Sequence, residues 1–124
     1  MTPKSQSFYM PAEWAPHQAT WLTYPHNEDS WPGKIETIFP SYHLFIKVLA
    51  ECEQVHINVQ DKSMALHVEA ALRAINTPME MIHFHIIPSN DAWCRDHGPA
   101  FLLNRRQRQS YRRSPSQPCP NLAQ

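Results

Sequence analysis

Apolar residues along this chain follow two alternating rhythms, and their order predicts the fold. Thr20-Trp21-Leu22-Thr23-Tyr24-Pro25 is a short β-branched and aromatic run closed by proline, the pattern of a strand. His26 to Gly33, rich in Asn, Asp, Ser, Pro and Gly, turns the chain. The rhythm then changes: Ile38, Tyr42, Phe45, Val48, Leu49 and Cys52 recur at helical steps and make one stripe of a helix. Proline fits a first helical turn, where its missing N–H leaves no bond unmade. The helix is therefore expected to start close to Pro40, with Ile35 to Phe39 as a preceding turn.

Val55-His56-Ile57-Asn58-Val59-Gln60 returns to a period of two, and Asp61 stands ready to cap a second helix in which Met64, Val68, Ala71, Leu72 and Ile75 share a face. Asn76-Thr77-Pro78 ends that helix. Met79 to Pro88 predicts a third strand and Pro99 to Asn104 a fourth. Strands alternating with helices give an α/β fold with a partly parallel sheet.

The pattern breaks at Asn104. Residues 105–124 hold Arg105, Arg106, Arg108, Arg112 and Arg113 and no acid, whereas residues 1–104 carry a net charge of −5 that the formal zero of the whole conceals. Only Tyr111 and Leu122 in that tail are large and apolar, too little to offset the entropy of ordering it. The expected organisation is one domain over 1–104 and a disordered basic tail over 105–124. A loss of acids with a gain of Arg, Ser and Pro is what out-of-frame translation yields, so a frameshifted or truncated gene is the expected origin of the tail. The arginines come without aromatic platforms, so a solvated tail is expected and no nucleic-acid partner.

Hydrophobic residues make 42% of the chain and charged residues 18%, as in soluble globular proteins. No apolar run approaches the roughly 18 residues of a membrane span, and the first residues contain no signal-like stretch. A cytoplasmic protein without a membrane partner is the expectation. Cys52, Cys94 and Cys119 are widely spaced and lack a CxxC, which points to reduced thiols.

Chemistry-bearing residues concentrate in Asn90-Asp91-Ala92-Trp93-Cys94-Arg95-Asp96-His97-Gly98-Pro99, directly after a strand, where rigid scaffolds place function. Two plainer readings stand beside a functional one. In the first, Asp91 caps the turn, Arg95 pairs with Asp96 and Trp93 packs. In the second, His83 and His85, on one strand face by alternation, join Cys94 and His97 as a His/Cys metal module.

The segment Asn90 to Pro99 resembles the N-D-x-W-x-R-D-x-G-P signature of the agmatine deiminase and bacterial, Porphyromonas-type peptidyl-arginine deiminase family. Met10-Pro11-Ala12-Glu13-Trp14 with Trp21-Leu22-Thr23-Tyr24-Pro25 is similar to the family's opening pattern, and Trp31 falls where the family has a further tryptophan. The resemblance implies a partial pentein, an α/β propeller of which this chain supplies about one ββαβ-type unit and the start of the next. It implies a guanidine hydrolase that converts agmatine to N-carbamoylputrescine in putrescine biosynthesis, or deiminates peptidyl-arginine, through a cysteine nucleophile and with no cofactor or metal.

Residue by residue, the resemblance assigns guanidinium binding to Asp96. Trp93 can add an aromatic face to a cation, and Asn90, Asp91, Arg95 and Gly98 shape the loop. The family's nucleophilic cysteine lies in a glycine-rich segment near its C-terminus, and Gly33 and Gly98 are the glycines of this chain. Cys94 occupies a position the signature leaves free. The expectation is a chain inactive alone, with a non-catalytic remnant or interaction fragment as the alternative. Its substrate and oligomeric state are not legible.

Overall fold

A computed structural model describes residues 1–16, 18–98 and 100–107. In chain order the elements are β1 (Phe8–Tyr9), β2 (Ala19–Thr23), α1 (Ile35–Ala50), β3 (Gln54–Val59), α2 (Lys62–Ala74), β4 (Ile82–Ile86), α3 (Cys94–His97) and β5 (Leu103–Asn104). Gln18–His97 form one compact unit, and the described residues before and after it form a second.

The larger unit is built on a three-stranded sheet in the order β2-β3-β4, with both pairs parallel. Register determines what each face carries. Leu22, Ile57 and Phe84 align on one face; Trp21, His56 and His83 align on the other, followed by Thr23, Asn58 and His85. The parallel strands need crossovers, which α1 and α2 supply. Ile46 and Ala50 of α1 and Val68 and Leu72 of α2 meet Val55, Ile57, Val59 and Ile82 in a single core.

Asp61 caps α2 as its position predicts: its Oδ1 accepts from the Met64 N–H at 2.8 Å. Asn76, left-handed at φ 57°, ends the helix, and the Thr77 N–H reaches back to the Leu72 carbonyl. Val68 and Leu72 are buried, with Met64 and Ile75 packed beside them.

The first helix departs from expectation twice. It begins at Ile35, so Pro40 lies inside it. Pro40 removes only the bond to the Glu36 carbonyl, and both residues are exposed, so water can take that carbonyl. The buried face is also rotated. Ile35, Ile46 and Ala50 are buried and Phe39, Tyr42 and Leu49 pack on the core, whereas Phe45 and Val48 of the expected stripe are about half exposed. Nearly every side of α1 is apolar, so two stripes satisfy the helical spacing and only the sheet chooses between them.

Two further expectations are corrected. Met79–Met81 form a 3-10 turn and the strand starts at Ile82, where pairing with Val55 begins. The last strand is two residues long and pairs antiparallel with β1, outside the parallel sheet.

In the smaller unit, Asn104 Nδ2 donates to the Gln6 carbonyl and the Arg105 guanidinium lies 5.2 Å from the Tyr9 ring centroid. Of the tail expected over 105–124, Arg105–Gln107 form a 3-10 turn; the remainder lies outside the described residues. No helix among the described residues is long and apolar enough to cross a membrane.

Candidate functional site

After β4 the chain runs from Ser89 to His97 along the carboxyl ends of the parallel strands, the edge at which open α/β sheets hold ligands. The segment lacks strand pairing, so its backbone is held by side chains from the residues that follow β2 and β3. His26 Nε2 donates to the Ser89 carbonyl at 2.7 Å, and Gln60 Nε2 donates to the same oxygen at 2.9 Å. Gln60 Oε1 accepts from the Ser89 N–H at 3.3 Å, and Asn27 Nδ2 donates to the Asn90 carbonyl at 2.7 Å. Asp91 Oδ1 then takes the N–H of Ala92, and the Trp93 carbonyl accepts from the N–H groups of Asp96 and His97, closing the single turn of α3.

The turn is stapled to the sheet at one point. Cys94 Sγ and Thr23 Oγ1 share a hydrogen bond of 2.8 Å, and Asn58 Nδ2 donates to the same threonine oxygen at 3.3 Å. Cys94 therefore faces the sheet, while Arg95, Asp96 and His97 lie on the exposed side of the turn. The Asp96 carboxylate has no partner among the described residues.

Trp93 stacks on Trp31 with centroids 6.2 Å apart and planes 16° from parallel. The two indoles line an apolar hollow of about 320 Å³ with Pro25, Ile38, Ser41, Tyr42, Phe45 and Ala92. Trp93 is 55% exposed, so one part of its ring is packed and another is open to a ligand.

Burial sets the protonation of the groups beneath. It pushes the Tyr24 hydroxyl up to about 12, and it pushes Tyr42 higher still, helped by Cys94 and Tyr24. Both phenols stay protonated and can donate: Tyr42 to the Thr23 carbonyl at 3.0 Å, and Tyr24 to His43 Nε2 at 2.8 Å. His43 is held below the ordinary imidazole value by burial and then by His67, in keeping with an acceptor nitrogen.

On the sheet face away from the helices, His56 stacks on Trp21, His83 and His85 at 4.6, 4.8 and 5.1 Å between centroids, and its Nδ1 lies 2.8 Å from His85 Nε2. Burial lowers its pKa, with His83 and His85 adding to the effect. A histidine depressed in the native state binds its proton more readily when unfolded, so stability is present at neutral pH and lost as pH falls through the ordinary imidazole range. The melting temperature should therefore drop on acidification from about pH 7.5 to 5. His56→Phe should make that dependence shallower, with His43 retaining its share; an unchanged slope would contradict the assignment.

Of the six expected residues, Asn90 and Asp91 make backbone-shaping bonds, Trp93 is half open, and Arg95, Asp96 and Gly98 are exposed. The metal alternative is not assembled. His85 bonds His56, Cys94 bonds Thr23, and among the described residues no three His, Cys, Asp or Glu are placed to hold an ion. Sequence reading missed His26, Asn27, Gln60 and Thr23. Gln60 alone carried a signal, as the residue that ends a strand of a parallel sheet.

The parallel α/β sheet carries this aspartate and tryptophan signature at its carboxyl edge. The family model for Porphyromonas-type peptidyl-arginine deiminase matches residues 9–113, and the chain belongs to that family. It is 34% identical over 105 residues to the agmatine deiminase of Ectopseudomonas mendocina, covering 85% of this chain and 27% of that protein. It is 33% identical over 103 residues to that of Stutzerimonas stutzeri, covering 83% and 26%. A solved variant of C. jejuni agmatine deiminase with substrate bound superposes with a TM-score of 0.60 at 26% identity, over 77% of this chain and 26% of that one. The chain thus spans about a quarter of the length of the curated relatives it matches.

Proposed function

We propose that this chain carries a guanidinium-gripping element of a guanidine deiminase, with Asp96 accepting N–H bonds from the substrate and Trp93 offering an aromatic face. The observation that carries the reading is the placement of an exposed carboxylate and a half-open indole on one ordered turn at the carboxyl edge of the sheet. A guanidinium is planar and permanently charged, so a site that takes it from water needs a carboxylate in hydrogen-bonding reach and gains from an aromatic surface. Asn90, Asp91, Arg95 and Gly98 keep the turn in shape. The fold that goes with this reading is a pentein, of which residues 1–104 form one ββαβ-type unit and the start of another.

Agmatine is the favoured substrate, with peptidyl-arginine second. In the full reaction a cysteine thiolate bonds to the guanidinium carbon, and the bond to a terminal nitrogen breaks as ammonia leaves with a proton from an acid group. Water then adds to that carbon and the C–S bond breaks, giving N-carbamoylputrescine and the free thiol. Cys94 faces Thr23 and belongs to the turn's support, so the nucleophile is not assigned to it. The chain alone is expected to bind agmatine in preference to putrescine, which has the same methylene spacer and no guanidinium, and to release no ammonia. Ligand-observed NMR with both amines, and an ammonia assay with agmatine, test this. Equal binding of the two amines would overturn the site, and turnover would overturn the inactivity.

A further inference from the structure

Ser89 opens the candidate loop, and what holds it there is more specific than packing. His26 is the centre of that hold. Its Nε2 lies 2.7 Å from the Ser89 carbonyl oxygen and its Nδ1 lies 3.0 Å from the Tyr24 carbonyl oxygen. Carbonyl oxygens only accept, and a neutral imidazole has a single N–H to donate. One of the two contacts would then set a ring lone pair against an oxygen lone pair; the imidazolium satisfies both.

The neighbouring amide agrees. Gln60 Nε2 lies 3.0 and 3.4 Å from the two ring nitrogens, but its two hydrogens have takers in the Ser89 carbonyl and the Ser89 Oγ, at 2.9 and 3.3 Å. The pairing of Gln60 Oε1 with the Ser89 N–H fixes which way that amide points. With its hydrogens on those two oxygens, the amide makes no demand for a bare nitrogen on the ring. Among the described residues the hydrogen-bond partners of His26 are the Tyr24 carbonyl from the end of β2, the Gln60 amide from the end of β3, and Ser89 from the loop, none of them a carboxylate.

The geometry points to His26 as a positioning residue that, as the imidazolium, latches the Asp96 loop to the sheet through the Ser89 carbonyl. Its importance for recognition rests on the guanidinium reading above, but the latch itself is measurable without any ligand. With the proton gone, one of the two bonds is lost. Asn27 and Gln60 still tether the loop start, so the turn from Trp93 to His97 loosens without unfolding. A pH-dependent grip on substrate follows, tighter while His26 is charged.

Long-range proton–nitrogen NMR on the histidine-labelled 124-residue chain reads the His26 protonation state directly, and hydrogen exchange reads the loop. As His26 loses its second proton, protection of residues 89–97, corrected for intrinsic rates, should fall about fivefold or more while that of β3 stays constant. His26→Gln should show the low protection at every pH; should that variant fail to fold, the wild-type series decides. A neutral Nε2–H tautomer throughout the range in which the loop is protected would overturn the latch, as would protection that is flat across the titration. Agmatine binding at Asp96 with flat protection would refute the latch alone. Protection that follows His26 with no agmatine binding would support the latch and refute the guanidinium reading.

Discussion

Ile46→Ala is expected to cost about 2 to 5 kcal/mol, while Val48→Ala, two residues along the same helix, changes stability by less than about 0.5 kcal/mol. Ile46 is 0% exposed and lies among Tyr24, Val55, Ile57, Val68 and Leu72; Val48 is 53% exposed. Truncating Ile46 removes methyl and methylene groups from the layer between α1 and the sheet and leaves a cavity, because strands on one side and α2 on the other limit how far the site can collapse. Against the roughly 5 to 15 kcal/mol by which small domains exceed their unfolded state, that loss is large. Urea melts followed by circular dichroism should show the midpoint falling by about 2 M for Ile46→Ala and scarcely moving for Val48→Ala. The reverse ranking would restore the stripe of Phe45 and Val48.

That comparison marks where sequence reading stops. The number and order of the main elements were legible because each carries its own period, and Asp61 announced the start of α2 by a local bond. The buried side of α1 was not legible, since Ile38, Phe45 and Val48 are as apolar as Ile35, Ile46 and Ala50, and the choice depends on where β3 lies. The start of α1 was misplaced because the rule for Pro40 is local, whereas an exposed carbonyl at Glu36 makes the proline tolerable.

The site divides the same way. Asn90 to Gly98 is contiguous, so its grouping is visible without the fold. The side chains that hold it act across the fold: His26 and Asn27 each reach a partner 63 positions away, and Thr23 meets Cys94 across 71. His83 and His85 were visible as neighbours on one strand face. Their stacking on His56 and Trp21 required the register of β2, β3 and β4.

Asp96→Asn is expected to weaken agmatine binding by about 10- to 100-fold while leaving the melting temperature of the chain within about a degree or two. The two effects separate because of where Asp96 stands. Its backbone N–H closes α3 onto the Trp93 carbonyl, and asparagine keeps that bond; its carboxylate is exposed and has no partner among the described residues, so neutralising it leaves no buried group stranded. A guanidinium loses more. The carboxylate offers two anionic oxygens to paired N–H donors, whereas the amide offers one neutral oxygen and sets two N–H groups against the ligand's own. Trp93→Leu should remove a smaller share, because stacking on a cation is weaker than charge-assisted hydrogen bonding and Trp31 stays in place beside it. Titrations of the three chains with agmatine and with putrescine measure the ordering. Agmatine affinity unaltered by Asp96→Asn would remove Asp96 from the site and leave the turn as scaffold.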